Sequence, residues 1–168
     1  MKNLIKLKNK AYHNACMHGF HNDEKNVNKQ IMLIVTEIGE AINADRLGNH
    51  DFKSENFKDT YEDELADIGI RLLDFAGLYE IDVPDEITNT FVNFTSNSVT
   101  NSVDLFRAFI LLLDDLIDLT EDTNTDNWQH PFRILIAIAE YDSIDLEYYI
   151  LQKMKYNEKR EYLHGKKY

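Results

Sequence analysis

The chain has 168 residues, 43% of them hydrophobic, which is enough apolar material for one domain spanning residues 1–168. Its formal net charge of −12 at pH 7 disfavours binding to a nucleic acid polymer, whose phosphate groups attract Lys and Arg. With no apolar run of membrane length, no visible export signal and a single cysteine, Cys16, the sequence predicts a cytoplasmic protein whose one thiol lies in the core.

A loose helical pattern over residues 2–17 ends at Gly19 and predicts the first helix. His13, His18 and His21 cluster around this end. Because positions 13 and 18 do not share a helix face, a zinc site formed by these histidines is a weak alternative.

The second predicted helix covers about residues 27–47 and has apolar residues at a 3.6-residue period. It carries Glu37 and Glu40, which are flanked by small and apolar side chains. Gly48 is typical of a helix end, and the polar residues 49–56 predict a loop. The chain is therefore expected to turn back on itself here.

The third predicted helix covers about residues 57–79 and carries Glu64 and Asp67. About 10 Å of helix separates Glu40 from the loop, and about 9 Å of helix separates the loop from Glu64. In an antiparallel hairpin the two acidic pairs therefore lie at the same height. Arg71 lies on the same edge and is expected to neutralise Asp67 and Asp74, with substrate contact as the alternative, and Asp74 is also a candidate further metal ligand.

Four converging carboxylates predict a metal site. Two unit charges about 5 Å apart repel by roughly 3 kcal/mol at an effective dielectric constant near 20, and a bound cation reverses this cost. Because the candidate ligands offer only oxygen, a hard ion is favoured, Mg²⁺ with Mn²⁺ as a substitute. The alternative is two solvated acidic faces without an ion. The candidate ligands are Glu37, Glu40, Glu64 and Asp67.

The segment after this hairpin is expected to be largely helical. It contains a weak internal echo of the hairpin, which places Asp115 at the position of Glu40. The segment is either a decayed copy of the hairpin or a chance similarity between amphipathic helices. The aligned parts are Ala108–Asp118 with Leu33–Asn43 and Ile144–Leu146 with Ile81–Val83. The predicted elements are a short helix at 85–94, a polar linker at 95–102, helices at 103–120 and 131–141, and an acidic loop at 121–127.

The last predicted helix is Asp145–Leu163, and the region from Lys153 onward has six basic residues against two acidic ones. This basic region is predicted to hold the phosphate groups of a substrate. Glu161 and His164 form a single ExxH pair, and a di-iron site, which needs two such pairs, is a weak alternative. The candidate substrate-binding residues are Lys153, Asn157, Arg160, Lys166 and Lys167.

The acidic pairs resemble the signature of the MazG-like and dimeric dUTPase-type nucleoside triphosphate pyrophosphohydrolases, which is ExxE, a spacer and ExxD. Here the motif reads Glu37-Ile-Gly-Glu40 and, after a spacer of 23 residues, Glu64-Leu-Ala-Asp67. The resemblance covers about residues 11–81 and 144–168. The flanking segments that carry it are His18–Phe20, Leu33–Arg46, Tyr61–Asp74 and Lys153–Tyr168.

This resemblance implies an all-α helical bundle of the MazG-like type with an inserted helical segment at about residues 84–143. It implies Mg²⁺-dependent cleavage of a nucleoside triphosphate, dUTP or another dNTP, to a monophosphate and pyrophosphate, an activity that cleans the nucleotide pool. It also implies a homodimer or homotetramer.

The resemblance further implies that the four acids hold the ion and that one of them, such as Glu40, acts as general base through a water molecule. Phe20 or His21 would contact the base. The main alternative is a non-catalytic helical adaptor or a nucleotide-binding regulatory protein on the same scaffold. A second alternative is a pyrophosphohydrolase that acts on an alarmone or a damaged nucleotide.

Overall fold

A computed structural model describes residues 1–22, 24–54, 57–88 and 102–165 of the chain. Across these ranges the structure is helical and contains no β-strand, which confirms the predicted all-α helical bundle. None of the described helices has both the length and the apolar character needed to cross a membrane. The elements are α1 (Leu4–Met17), α2 (Val27–Arg46), α3 (Tyr61–Leu78), α4 (Ser102–Glu121), α5 (Thr125–Tyr141), α6 (Leu146–Asn157) and a short 3₁₀ helix (Tyr162–Gly165).

Helix α3 is the centre of the fold, because it packs against α1, α2, α5 and α6. Its N-cap is Thr60, whose side chain accepts a hydrogen bond from the Asp63 N–H. The first turn contains Glu62, Asp63 and Glu64, which suit the positive end of the helix dipole, yet all three residues are buried. The sequence of α3 therefore carries carboxylates into the interior of the bundle.

Two glycines let neighbouring helices approach α3 closely. A Cβ on Gly69 would lie 2.8 Å from Cδ1 of Ile150 in α6, and a Cβ on Gly77 would overlap the side chain of Tyr12 in α1. By contrast, a Cβ on Gly39 in α2 would meet no heavy atom within 4 Å. The positions of α1 and α6 on α3 therefore depend on glycine.

Helices α4 and α5 form a second hairpin that packs against the first, with α4 on α2 and α5 on α3. Trp128 is fully buried, and its Nε1 donates a hydrogen bond to the Leu72 carbonyl at 2.7 Å. This bond ties α5 to the central helix. The two hairpins together form a four-helix arrangement, and α1 and α6 pack against α3.

The ends of α3 and α5 repeat one capping geometry. Glu80 and Ser143 both adopt the left-handed backbone conformation, with φ of 58° and 59°. In each case the next residue, Ile81 or Ile144, donates its N–H to the helix carbonyl five positions earlier, at 2.9 and 2.7 Å. The two isoleucines are the ones aligned by the internal echo, and this cap is also common at the ends of unrelated helices.

Two helix starts differ from the sequence prediction because a capping side chain decides them. Helix α3 begins at Tyr61 rather than near residue 57, directly after the Thr60 cap. Helix α5 begins at Thr125 rather than at Pro131, because the Asn124 side chain accepts a hydrogen bond from the Asn127 N–H at 2.9 Å. The predicted acidic loop is shorter as a result.

Long-range backbone contacts decide two further differences. Helix α6 ends at Asn157 rather than at Leu163, and the Leu163 N–H donates to the His18 carbonyl at 2.8 Å. Residues 85–88 are not helical, and the Leu4 N–H at the start of α1 donates to the Asp85 carbonyl at 3.0 Å. Residues 89–101, which contain the rest of the predicted short helix and most of the linker, lie outside the described residues.

The prediction that Cys16 lies in the core is wrong, because this residue is exposed. The buried stripe of α1 steps by three and four residues through Leu4, Leu7 and Ala11. Cys16 comes five residues after the last of these and falls on another face of the helix.

We expect Gly77→Ala to destabilise the protein by about 1–3 kcal/mol, since the added methyl group must displace Tyr12 in the packed contact between α1 and α3. Gly39→Ala is the matched control, and there the same change should stabilise the protein by about 0.5–1 kcal/mol. Urea unfolding of both variants measures the two effects. Equal effects would contradict the role given to Gly77.

Candidate metal and substrate site

Three of the four predicted metal ligands converge between α2 and α3. One carboxylate oxygen from each of Glu37, Glu40 and Glu64 lies within 4.8 Å of the other two. Glu37 and Glu64 are buried, with 4% and 6% of their surface exposed, whereas Glu40 is exposed. The ExxE and ExxD spacing thus predicted a real meeting point for these side chains.

The fourth predicted ligand, Asp67, lies beside this trio but is held by a lysine. Lys153 Nζ is 2.8 Å from Asp67 Oδ2 and 2.6 Å from Asp63 Oδ2. Only 5% of Lys153 is exposed, and Asp63 is fully buried. The sequence suggested that Lys153 binds the phosphate groups of a substrate. The structure instead places Lys153 in an internal ion-pair network.

Arg71 contacts a different acid from the two that the sequence suggested. Its Nε donates to Glu37 Oε1 at 2.6 Å, so its direct ion pair is with α2, while its charge also acts on Asp67 and Asp74 and opposes the rise of their pKa values on burial. Asp74 instead lies 2.7 Å from His21 Nε2. The helical spacing of Arg71 favoured partners on its own helix, but the guanidinium reaches across to α2.

These two protein cations do not balance the cluster. With the four predicted ligands ionised, Arg71 and Lys153 leave at least two negative charges unbalanced, because Lys153 is also shared with Asp63. One divalent cation would balance two of these charges. Glu40 and Glu64 form no ion pair within the described residues, so the unbalanced charge lies beside these two acids.

Burial raises the pKa of Glu64 to about 8, and the neighbouring charges of Asp67, Asp63 and Glu37 add to this effect against the opposing charge of Lys153. Burial likewise raises the pKa of Asp67, and it raises that of Asp63 to about 6. The metal-free cluster therefore holds protons near neutral pH, as expected when carboxylates converge without a counter-ion.

The residues present fit a hard divalent cation. The trio offers only carboxylate oxygens, which Mg²⁺ and Mn²⁺ prefer. In an octahedral Mg²⁺ site with Mg–O distances of about 2.1 Å, neighbouring ligand oxygens are about 3 Å apart and opposed ones about 4.2 Å. Oxygens within 4.8 Å of one another would therefore move together by up to about 2 Å to bind one ion. The charge left unbalanced by Arg71 and Lys153 supports the same fit.

A second acidic group shares Glu64. Oxygens of Asp59, Asp63 and Glu64 also lie within 4.8 Å of one another. Asp63 is already occupied by Lys153, so the trio with Glu37 and Glu40 is the better candidate for a cation. Asp63 was missed in the sequence because it lies outside both motifs, although its spacing of four residues from Asp67 puts the two acids on one face.

A cleft of about 480 Å³ adjoins the acidic cluster and is formed by α1, α2, α3 and the region after α6. Glu37, Glu40 and Asp67 lie along one part of its wall, and Lys29 and Arg160 supply positive charge. Its volume is within the range of small-molecule sites. Phe20 also lines the cleft, so one of the two aromatic candidates for base contact is placed there.

Asn157 lines this cleft and has a buried side-chain oxygen that is unsatisfied. It is 6% exposed, and its Oδ1 has no hydrogen-bond partner. A buried acceptor left in this way costs about 1–3 kcal/mol, which a ligand with an N–H or O–H donor would recover. Phosphate oxygens are acceptors, so Oδ1 itself is better suited to a base or sugar than to the phosphate group that the sequence suggested.

Arg160 is held at the cleft by a return of the chain onto α1. His18 Nε2 lies 3.0 Å from the Arg160 carbonyl oxygen, and His18 Nδ1 lies 2.8 Å from that of Asn14. Gly19, at φ 82°, leaves the space that the Tyr162 ring fills. Both ring nitrogens of His18 contact backbone carbonyl oxygens, so His18 gives no support to the zinc site that was the alternative in the sequence. Lys166, Lys167 and the side chain of His164 lie outside the described residues.

Comparison of the chain with protein-family models, curated proteins and solved structures gave no match. The resemblance to MazG-like pyrophosphohydrolases therefore stays a prediction that rests on the motifs. The acidic cluster and the adjoining cleft are the features of the structure that bear on function.

The raised pKa of Glu64 predicts a pH-dependent stability. In the metal-free folded protein this carboxyl keeps its proton up to about pH 8, whereas in the unfolded chain it loses it near its ordinary value of 4.5. The folded state binds more protons between these values, so the free energy of unfolding should fall as pH rises through this range.

Melting in EDTA at about pH 6 and about pH 8 measures this effect. We expect a lower melting temperature at the higher pH, a weaker dependence in Glu64→Gln, and an unchanged dependence in the surface control Glu121→Gln. Added Mg²⁺ should raise the melting temperature most at the higher pH. The same pH slope in Glu64→Gln as in the parent protein would remove Glu64 as its source.

Proposed function

We propose that this protein is a Mg²⁺-dependent nucleoside triphosphate pyrophosphohydrolase of the cytoplasm, acting on dUTP or another dNTP. The observation that carries the proposal is the convergence of Glu37, Glu40 and Glu64 beside a cleft that also contains Arg160 and Asn157. Oxygen ligands for a cation, positive charge for phosphate and a buried acceptor for a base or sugar thus occur in one place. The resemblance of both acidic motifs to this enzyme class points the same way.

The acidic cluster would hold the cation through Glu37, Glu40 and Glu64, with Asp67 at its edge. Bound there, Mg²⁺ would neutralise phosphate charge and lower the pKa of the attacking water. Arg71 and Lys153 would fix the orientation of Glu37 and Asp67 through their ion pairs. Such support matters because catalytic groups need restricted geometry.

The hydrolytic step would add the oxygen of water to the α phosphorus and break its bond to the oxygen that bridges to the β phosphorus. The products are a nucleoside monophosphate and pyrophosphate. Glu40, the exposed member of the trio, would accept the proton of the water. Arg160 would neutralise the triphosphate, and Asn157 Oδ1 would accept a hydrogen bond from the base or sugar.

A nucleotide-binding regulatory protein without turnover is the second candidate function. It is favoured by the two internal ion pairs, since Arg71 and Lys153 already compensate part of the acidic cluster without any metal. Such a protein would use the cleft and Asn157 in the same way but would not need Glu40 or Glu64.

Activity measurements on carboxamide variants separate these two functions. We expect Glu40→Gln and Glu64→Gln each to abolish hydrolysis while the helical signal and metal-free stability are kept or raised, because the amide keeps the shape but removes one of the converging charges. Glu121→Gln, at the end of α4, is the control and should keep full activity. The assay incubates each dNTP and NTP with Mg²⁺ or EDTA and identifies monophosphate and pyrophosphate. Turnover like that of the parent protein in both site variants would contradict the catalytic roles of Glu40 and Glu64.

Arg160→Ala tests the phosphate contact independently of the metal. We expect a higher KM or a lower kcat/KM for the triphosphate and no change in stabilisation by Mg²⁺, because Arg160 lines the cleft outside the acidic trio. Lys155→Ala, an exposed position on α6, is the matched control. Unchanged kinetics in Arg160→Ala would leave Arg160 without a role in substrate binding.

A further inference from the structure

Helix α4 is apolar on two faces. One face is buried against the rest of the bundle through Ala108, Phe109, Leu112, Leu116 and Leu119. The other face exposes Phe106, Ile110 and Ile117 by 45%, 64% and 58%, with the partly buried Leu113 between the last two. These four residues, which we call the α4 stripe, follow one another at steps of four, three and four. That spacing is the seam of a helix pair, and a surface helix of a monomer normally has one apolar face.

The charges beside the α4 stripe are self-complementary. Arg107 and Asp114 are both exposed and are seven residues apart, so they lie on the same flank of the stripe. A second α4 can be placed antiparallel, with Ile110 of one copy opposite Leu113 of the other. Arg107 of each copy then differs in height along the helix axis from Asp114 of the other copy by only about 3 Å. In a parallel pair in register, Arg107 and Asp114 of one copy would lie on the opposite side of the seam from those of the other copy, so they could not pair.

We propose that the α4 stripe is the docking surface for a second copy of this chain, whose α4 packs antiparallel about a two-fold axis. A two-fold contact uses one patch twice, and the Arg107–Asp114 pairing is satisfied twice by that symmetry. The acidic residues Asp114, Asp118 and Glu121 along the same helix disfavour an anionic membrane surface as the occupant. The cleft contains no residue of α4 among its described lining, so both clefts stay open in this dimer.

The first test is the mass in solution, measured by light scattering after size exclusion over a range of concentrations. We expect the parent protein to be a dimer and Ile110→Lys to be a monomer. Leu47→Lys, which changes an equally exposed apolar residue at the end of α2, should stay dimeric. Circular dichroism and urea unfolding verify that both variants fold. A monomeric parent protein at every concentration, or a dimer that persists in Ile110→Lys, overturns the proposal.

A charge-swap series tests the antiparallel pairing itself. Arg107→Asp and Asp114→Arg should each weaken the dimer by about tenfold or more in Kd, since each variant faces like charges twice. The double variant should restore the dimer, and a mixture of the two single variants should form a heterodimer. Failure of both restorations overturns this geometry. Ile110→Lys should keep the hydrolytic activity per chain, so a negative result for either proposal leaves the other one standing.

Discussion

The burial of carboxylates in the central helix is the constraint on which the rest of the structure depends. Buried charges cost several kcal/mol each unless a partner compensates them, and α3 carries Asp63, Glu64 and Asp67 into the bundle. Lys153 of α6 compensates Asp63 and Asp67 with contacts of 2.6 and 2.8 Å. The position of α6 on α3 is therefore electrostatic as well as apolar. Burial and the neighbouring carboxylates raise the pKa of Glu64, and this residue forms no ion pair within the described residues, so a ligand cation would be stabilising there.

The sequence predicted the parts of this site that depend on spacing along a helix. The helical period of the apolar residues and the helix-end signal at Gly48 predicted the α2–α3 hairpin. The motif spacing predicted that Glu37, Glu40 and Glu64 converge. Contacts that depend on the rotation of one helix against another were out of reach. Lys153 and Asp63 are 90 positions apart, and the pattern of α6 alone does not say which of its basic residues faces α3 and which faces the cleft.

Tertiary contacts also overrode local preference after α6. Residues 158–163 contain no proline or glycine, so local propensity extends the helix to Leu163. In the structure the chain leaves the helix and returns to the end of α1, where Tyr162 packs on Gly19 and Leu163 binds the His18 carbonyl. The sequence identified Gly19 only as a helix stop. Its second role, as space for an aromatic ring, depends on a residue more than a hundred positions away.

The second hairpin supplies stability that the acidic hairpin lacks. At the position aligned with Glu37, α4 has Leu112, which is fully buried, and at the position aligned with Glu40 it has Asp115. Replacing a buried carboxylate with leucine removes the desolvation penalty and adds about 1.5–3 kcal/mol of apolar burial. Because α4 rests on α2 and α5 on α3, this gain acts directly on the two helices that hold the converging acids. The second hairpin therefore adds apolar burial beside the helices of the acidic cluster, although Asp115 is itself partly buried and burial raises its pKa.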